Sequence, residues 1–212
     1  GGEAEVALGD LSTDAGAEAI TKAALATGAI DILVNNAGVL PRPSWMEATA
    51  ASWEQTYNIN VVSSVRMIQR LVPSMRERHW GRVIQIGGGL AQQPQAMGPH
   101  YSATLAARHN LAVSLARELK ETGVTSNVVA PGAILTEEGR PMLAHMGQAQ
   151  GWGETDEEIE RNAARSIAPN DVGRFGRPEE IAAAVAYLAS PFADYISGAT
   201  IRVDGGTIRS AF

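Results

Sequence analysis

The chain has 212 residues, 45% of them apolar and 19% charged, a balance that suits one globular domain with its own core and excludes a disordered or coiled-coil chain. Seventeen Lys and Arg against 23 Asp and Glu give a net charge of −6, so there is no field to draw in nucleic acid or anionic lipid. Cys is absent, which excludes disulfide scaffolds, thiolate catalysis and Cys-based zinc sites, and no metal site is expected. The longest unbroken apolar run, Ile181 to Ala189, is about half of the ~20 residues that cross a bilayer. The opening residues lack the basic start and apolar stretch of a secretion signal, and a cytoplasmic location is expected.

Along the chain, short apolar strand candidates alternate with longer helical stretches. Ala4–Leu8 is the first strand candidate. Thr13–Thr27 follows as an Ala-rich crossover helix, with Ile20 and Ala24 four apart and Ser12 as N-cap. After the strand candidate Asp31–Asn35, a long helical stretch from Thr49 to Arg78 carries Trp53, Val61, Val65, Ile68 and Leu71 and is expected to bend at Pro73. The strand candidate Arg82–Ile86 precedes a helix over Ser102–Glu121, with apolar Leu105, Ala106, Leu111, Val113 and Leu115 and a C-cap at Gly123. Ser126–Ala130 is the next strand candidate. The last helix opens with Pro178, Glu179 and Glu180 and is closed by Pro191, before a final strand candidate at Thr200–Val203. This rhythm is that of an α/β fold with a parallel sheet covered on both faces.

Ligands of such sheets gather where strands give way to loops at their carboxyl ends. Those loops are Asn35-Asn36-Ala37-Gly38, Gly87-Gly88-Gly89 and Pro131-Gly132-Ala133-Ile134-Leu135-Thr136. All three are small or turn-forming and let backbone approach a flat ligand closely. Each taken singly is equally a plain strand-ending turn.

Several further signatures stand in order: Asp10 after the first strand candidate, Asn60 within Asn58-Ile59-Asn60-Val61, and Tyr101 opening Tyr101-Ser102-Ala103-Thr104-Leu105. Gly176-Arg177-Pro178-Glu179-Glu180 and Val203-Asp204-Gly205-Gly206 follow. With these and the loops, the whole chain resembles the short-chain dehydrogenase/reductase family. The resemblance implies a Rossmann-like doubly wound parallel sheet, NAD or NADP as cofactor, hydride exchange between an alcohol and a carbonyl of a small-molecule substrate, and assembly into homodimers or tetramers through the two long helices and the C-terminal strand. It makes Tyr101 and Asn60 catalytic. It places Asp10 at the adenine, Asn36, Ala37 and Gly38 beside the ribose and adenine, and Pro131, Gly132, Ile134 and Thr136 on the nicotinamide side.

Three departures bear on function. Family chains carry a strand, a Gly-rich turn opening a helix, and a second strand and helix ahead of the segment that begins here, and that turn holds the pyrophosphate. Residues 1–212 therefore read as a single incomplete domain lacking the family's first strand-helix-strand-helix. In the family's strand order this leaves a gap of about 14 Å, and Ala4–Leu8 is expected to re-pair beside Asp31–Asn35, ahead of supply by a partner chain. Second, Leu105 stands where the family has a Lys, one helical turn after the Tyr, that lowers the phenol's pKa and grips the ribose. Arg108 and His109, on later turns, read as a solvated charge and a partly buried imidazole. Third, Gly88 stands where the family places a Ser that hydrogen-bonds the reacting oxygen.

The expected outcome is a family oxidoreductase that is inactive or nearly so. The alternatives are a non-enzymatic binding or oligomerisation module and cofactor-independent chemistry on Tyr101. The latter resembles the dehalogenases that lack dinucleotide, whose Ser and Arg fall at Gly88 and Leu105. Asn60 also reads as a helix-distorting amide bound to water or backbone. The segment between Thr136 and Gly173 is either a lid or an acidic capping surface. Within it Trp152, Met142 and Met146 suit helix packing more than a pocket wall.

Overall fold

Four parallel strands organise the protein, seen in a computed structural model that describes residues 2–210. β1 (Ile32–Asn35), β2 (Gly81–Ile86), β3 (Val124–Pro131) and β4 (Thr200–Val203) lie side by side in the order β1-β2-β3-β4. Ile32 stands beside Arg82, Val83 beside Ser126, and Val128 beside Thr200. Because parallel neighbours need a crossover, helices fill each connection. α1 (Asp14–Ala26) precedes β1, α2 (Ala50–Tyr57) and α3 (Ser63–Glu77) link β1 to β2, and α4 (Pro99–Glu118) links β2 to β3. α5 (Arg140–Gln150), α6 (Asp156–Ile167) and α7 (Pro178–Ala189) lie between β3 and β4.

The strands sort their side chains by alternation, successive residues pointing to opposite faces. Leu33, Val83 and Val124 pack with Ala17 of α1, Ile68, Leu71 and Met75 of α3, and Leu119 after α4. Ile84 and Val129 pack with Leu188 of α7, Ala193 and Ile201 on the opposite face. Helices therefore cover both faces, and the fold is the Rossmann-like α/β arrangement that the sequence rhythm implies.

Ala4–Leu8 departs from expectation. It forms no strand, and Val6 and Leu8 are 85% and 86% exposed. Nor does it re-pair beside β1, which is the edge of the sheet, its Ile32 and Val34 each about two-fifths exposed. Gly9 and Asp10 are packed against the first two turns of α1, which fixes the segment's end. Among the described residues no strand lies beside it, and its residues are exposed.

The cap of α1 is Thr13, one residue past Ser12, and its hydroxyl accepts from the Gly16 amide at 3.0 Å. The long stretch from Thr49 is interrupted at Asn58–Val62, a five-residue π-helical turn, and the helix continues past Pro73. Pro73 is exposed, on the side where a helix carbonyl left without its amide partner can tilt to water. α4 begins three residues earlier than expected, with Pro99 at its first position, so Tyr101 lies in its first turn. It ends at Leu119, and Gly123, at φ +77°, turns the chain into β3 instead of capping the helix.

Between β3 and α7, α5 and α6 form a helical pair with its own apolar cluster of Leu135, Leu143, Ile159, Ala163, Ala164 and Phe175, joined by Trp152. Asn162 donates to the Trp152 carbonyl. Thr155 and Glu158 form a reciprocal cap at the start of α6. Trp152 is thus a packing residue, while Met142 is largely exposed. Among the described residues no helix is long and apolar enough to cross a membrane.

Candidate active site

The loops after β1, β2 and β3 meet at the carboxyl edge of the sheet, and Arg108 ties the first two together. Its residue is 3% exposed. Nε donates to the Asn60 carbonyl at 2.5 Å, one terminal nitrogen donates to Ile86 at 2.7 Å and Asn35 at 3.4 Å, and the other donates to Ala37. One guanidinium thus satisfies carbonyls from β1, the loop behind it, the π-helical turn and the end of β2. This overturns the reading of Arg108 as a solvated charge. His109, by contrast, is partly buried as expected, and burial lowers its pKa.

Asn60 sits in the π-helical turn, whose extra residue per turn re-aims its side chain. Its Oδ1 accepts from the Val39 amide at 2.8 Å, and its Nδ2 donates to the Val39 carbonyl and to the Thr104 hydroxyl, both at 3.0 Å. Thr104 in turn donates to the Tyr101 carbonyl at 2.7 Å. The amide therefore ties the loop behind Gly38 to the first turn of α4 and holds backbone.

Tyr101 is in that first turn, and its side chain is partly buried. Burial raises its pKa above the ordinary value of 10, an effect that Arg108 and, less strongly, Arg42 oppose. The backbone amide of Tyr101 donates to Nδ1 of buried His100, whose ring meets Trp53 edge-on. Leu105, one turn later, is buried and lies over Gly88. No side chain stands at position 88 to face Tyr101, and none at 105 carries charge.

Asp10 is exposed at the start of α1, and hydrogen bonds from the Ser12 side chain and then from the Ser12 amide, the latter at 2.8 Å, lower its pKa. Asn36, Ala37 and Gly38 are exposed, while behind them a Cβ on Gly38 would stand 3.1 Å from Asn60 Oδ1. Gly132 is required in the same way, since a Cβ there would come within 2.8 Å of the Asp204 backbone. Ile134 pairs with Gly176, and Leu135 donates to the Gly176 carbonyl at 3.0 Å, so the third loop is braced by the segment that opens α7. Thr136 caps the following turn, accepting from Gly139. A cavity of about 760 Å³ lies elsewhere, at the amino ends of β2 and β3 beside Trp80 and Arg82.

The family model described as enoyl-(acyl carrier protein) reductase matches residues 1–207. The chain belongs to the short-chain dehydrogenase/reductase family. It is 36% identical over 204 residues to the uncharacterized oxidoreductase YvaG of Bacillus subtilis, covering 96% of this chain and 75% of that one. It is 36% identical over 179 residues to the 3-oxoacyl-[acyl-carrier-protein] reductase FabG of Vibrio harveyi, covering 84% and 67%. Among solved structures, the L-sorbose reductase of Gluconobacter frateurii, complexed with NADPH and L-sorbose, superposes with a TM-score of 0.86 at 32% identity, covering 95% of this chain and 75% of that one. Arg108 is the site residue that sequence reasoning missed. It stands two turns after Tyr101 on the same stripe as Leu105, and that shared apolar stripe was the available signal.

Proposed function

We propose that the chain carries a site for hydride exchange between an alcohol and a carbonyl, with NAD or NADP as cofactor, and that it turns over slowly. The observation that carries this reading is the placement of Tyr101, a partly buried phenol in the first turn of α4, beside the carboxyl edge where the three small-residue loops converge. The residues present fit the two ends of a dinucleotide: the backbone of Asn36, Ala37 and Gly38, open on its outer side and tightly supported behind, would lie beside the ribose and adenine, and Pro131, Gly132, Ile134 and Thr136 would hold the nicotinamide. For the pyrophosphate the fit is poor. Arg140, four residues past Thr136, is paired with Glu137. Bound cofactor would supply the hydride. Tyr101 donates its phenolic proton to the carbonyl oxygen and recovers one from solvent. Asn60 positions the loop, its amide already committed to Val39 and Thr104.

A slow rate follows from two absences. Gly88 gives no hydroxyl to the developing alkoxide, and loss of one such preorganised donor costs ~10²–10³ in rate. Leu105 brings no charge to the phenol. NADPH and NADH titrated against protein fluorescence, followed by single-turnover reduction of L-sorbose and of a 3-oxoacyl thioester, test the reading. Weak saturable binding with slow, Tyr101-dependent oxidation of the nicotinamide is expected. Micromolar affinity with rapid steady turnover defeats the slow-site reading, and turnover that survives Tyr101→Phe defeats the assignment of the proton donor.

A second observation favours self-association. Tyr187 near the end of α7, and Phe192 and Tyr195 just beyond it, are about half to fully exposed, and burying them against a second copy is favourable. A homodimer or tetramer by light scattering, dissolved by Phe192→Ser with Tyr195→Ser, is the expected result.

A further inference from the structure

We propose that Arg108 acts as a positioning residue for Tyr101, holding fixed positive charge beside the phenol and so easing departure of its proton in the absence of any cation at position 105. The proposal rests on the reading of Tyr101 as the proton-carrying group. Three observations carry it. The first is placement: Arg108 lies seven residues after Tyr101 on α4, two turns on and on the same face. The second is immobility. Four backbone carbonyls, from Asn35, Ala37, Asn60 and Ile86, fix the guanidinium, and Leu105 fills the intervening turn as a buried spacer against Gly88. The third is continuity. The Asn60 carbonyl accepts from Arg108, while the Asn60 amide reaches Thr104, whose hydroxyl donates to the Tyr101 carbonyl. One small network therefore joins the guanidinium to the backbone of Tyr101.

Physically, the carbonyls solvate the guanidinium but carry no net charge, so its full positive charge stays in a poorly screened interior. Loss of the phenolic proton turns Tyr101 into an anion, which that charge favours and burial opposes. Burial is the larger influence on the phenol, Arg108 the next and Arg42 the third. Burial lowers the pKa of Arg108, and Tyr101 opposes that shift. In the reductive direction the proton moves from the phenol to the carbonyl oxygen while hydride reaches the carbonyl carbon from reduced nicotinamide. The phenolate so formed is then reprotonated by solvent.

The test reads the phenol directly and needs no turnover. In protein labelled with ¹³C at tyrosine Cζ and arginine Cζ, with Tyr101→Phe used to assign Tyr101, the midpoint of Tyr101 ionisation is followed by NMR. Arg108→Gln is expected to raise that midpoint, Arg108→Lys to raise it less, and Arg42→Gln to raise it less than Arg108→Gln does. An unmoved midpoint in Arg108→Gln overturns the proposal, and so does a Lys variant that behaves as the Gln variant does. Should the Gln variant fail to fold, the otherwise unmutated protein decides. The Arg108 Cζ resonance is expected to shift along the Tyr101 titration and to lose that shift in Tyr101→Phe; a resonance indifferent to Tyr101 overturns the proposal. A coupled pair in a protein that reduces no carbonyl sinks the catalytic reading while leaving the pairing intact.

Discussion

A Cβ placed on Gly88 would stand 2.9 Å from Cδ1 of Leu105, so the leucine occupies the space that a side chain at position 88 needs. The two departures from the family pattern that remove a hydroxyl and an ammonium are one packing event. Leu105 is 4% exposed, and its contact with the bare backbone of Gly88 gives the site floor an apolar patch.

That contact predicts coupling. Gly88→Ser alone crowds the flexible end of Leu105 and is expected to cost about 1 kcal/mol, at the low end for overpacking. Leu105→Lys alone puts a charge where a leucine is buried and is expected to cost more than Gly88→Ser does. The double variant is expected to be more stable than the sum of the two by about 1 kcal/mol, since neighbours in contact do not add. A denaturant double-mutant cycle measures this, and additivity within about 0.5 kcal/mol contradicts the contact.

Tyr101 dictates the pH response. Its phenol ionises above the ordinary 10, so as a proton donor it is intact from pH 6 to 9, and carbonyl reduction is expected to be level there. Alcohol oxidation needs the phenolate and is expected to rise about tenfold per pH unit through the same range. Burial lowers the pKa of His109 from its ordinary 6.5, so it loses its proton earlier than an exposed imidazole. Initial rates in both directions check the pair of profiles. A bell centred near pH 7 in either one assigns the proton to another group.

Removal of Arg108 exposes a different dependence. Arg108→Met keeps much of the volume but leaves the carbonyls of Asn35, Ala37, Asn60 and Ile86 without this donor. With each unpaired buried group costing about 1–3 kcal/mol, a loss of about 3 kcal/mol or more in denaturant stability is expected. A loss under 1 kcal/mol would mean that water enters freely behind the loops.

How much of this was legible in sequence depends on what a local pattern can say. The strands at 32–35, 81–86, 124–131 and 200–203 are bounded by turn residues and joined by long helical stretches, and each appears close to where composition placed it. Ala4–Leu8 has the same composition, but a strand also needs a neighbour, and no local pattern reports one. The π-helical turn at Asn58–Val62 escaped because its apolar spacing continues a helix, while Pro73 drew the attention that a proline in a helix normally deserves. Arg108 escaped because a charge on a long helix is usually solvated. Its four acceptors come from three separate segments far away in sequence, and only folding brings those carbonyls together.

Glu180 gives the fold an acid-sensitive joint. Its carboxylate takes both terminal nitrogens of Arg174, at 2.9 and 2.6 Å, and the Arg177 amide at 2.8 Å. It thereby fastens the start of α7 to the segment that braces Ile134. These partners, Arg174 first, bring its pKa down from 4.5 to about 2. Between those values the unfolded chain binds the proton that the folded chain refuses. The stabilisation is thus complete above about pH 4.5 and drains away as pH falls toward 2. Glu180→Gln cannot titrate and is expected to melt below the parent protein at pH 7, with the gap in Tm narrowing steadily between pH 5 and pH 3. Melting curves across that range decide it, and a gap that stays constant with pH removes Glu180 as the source.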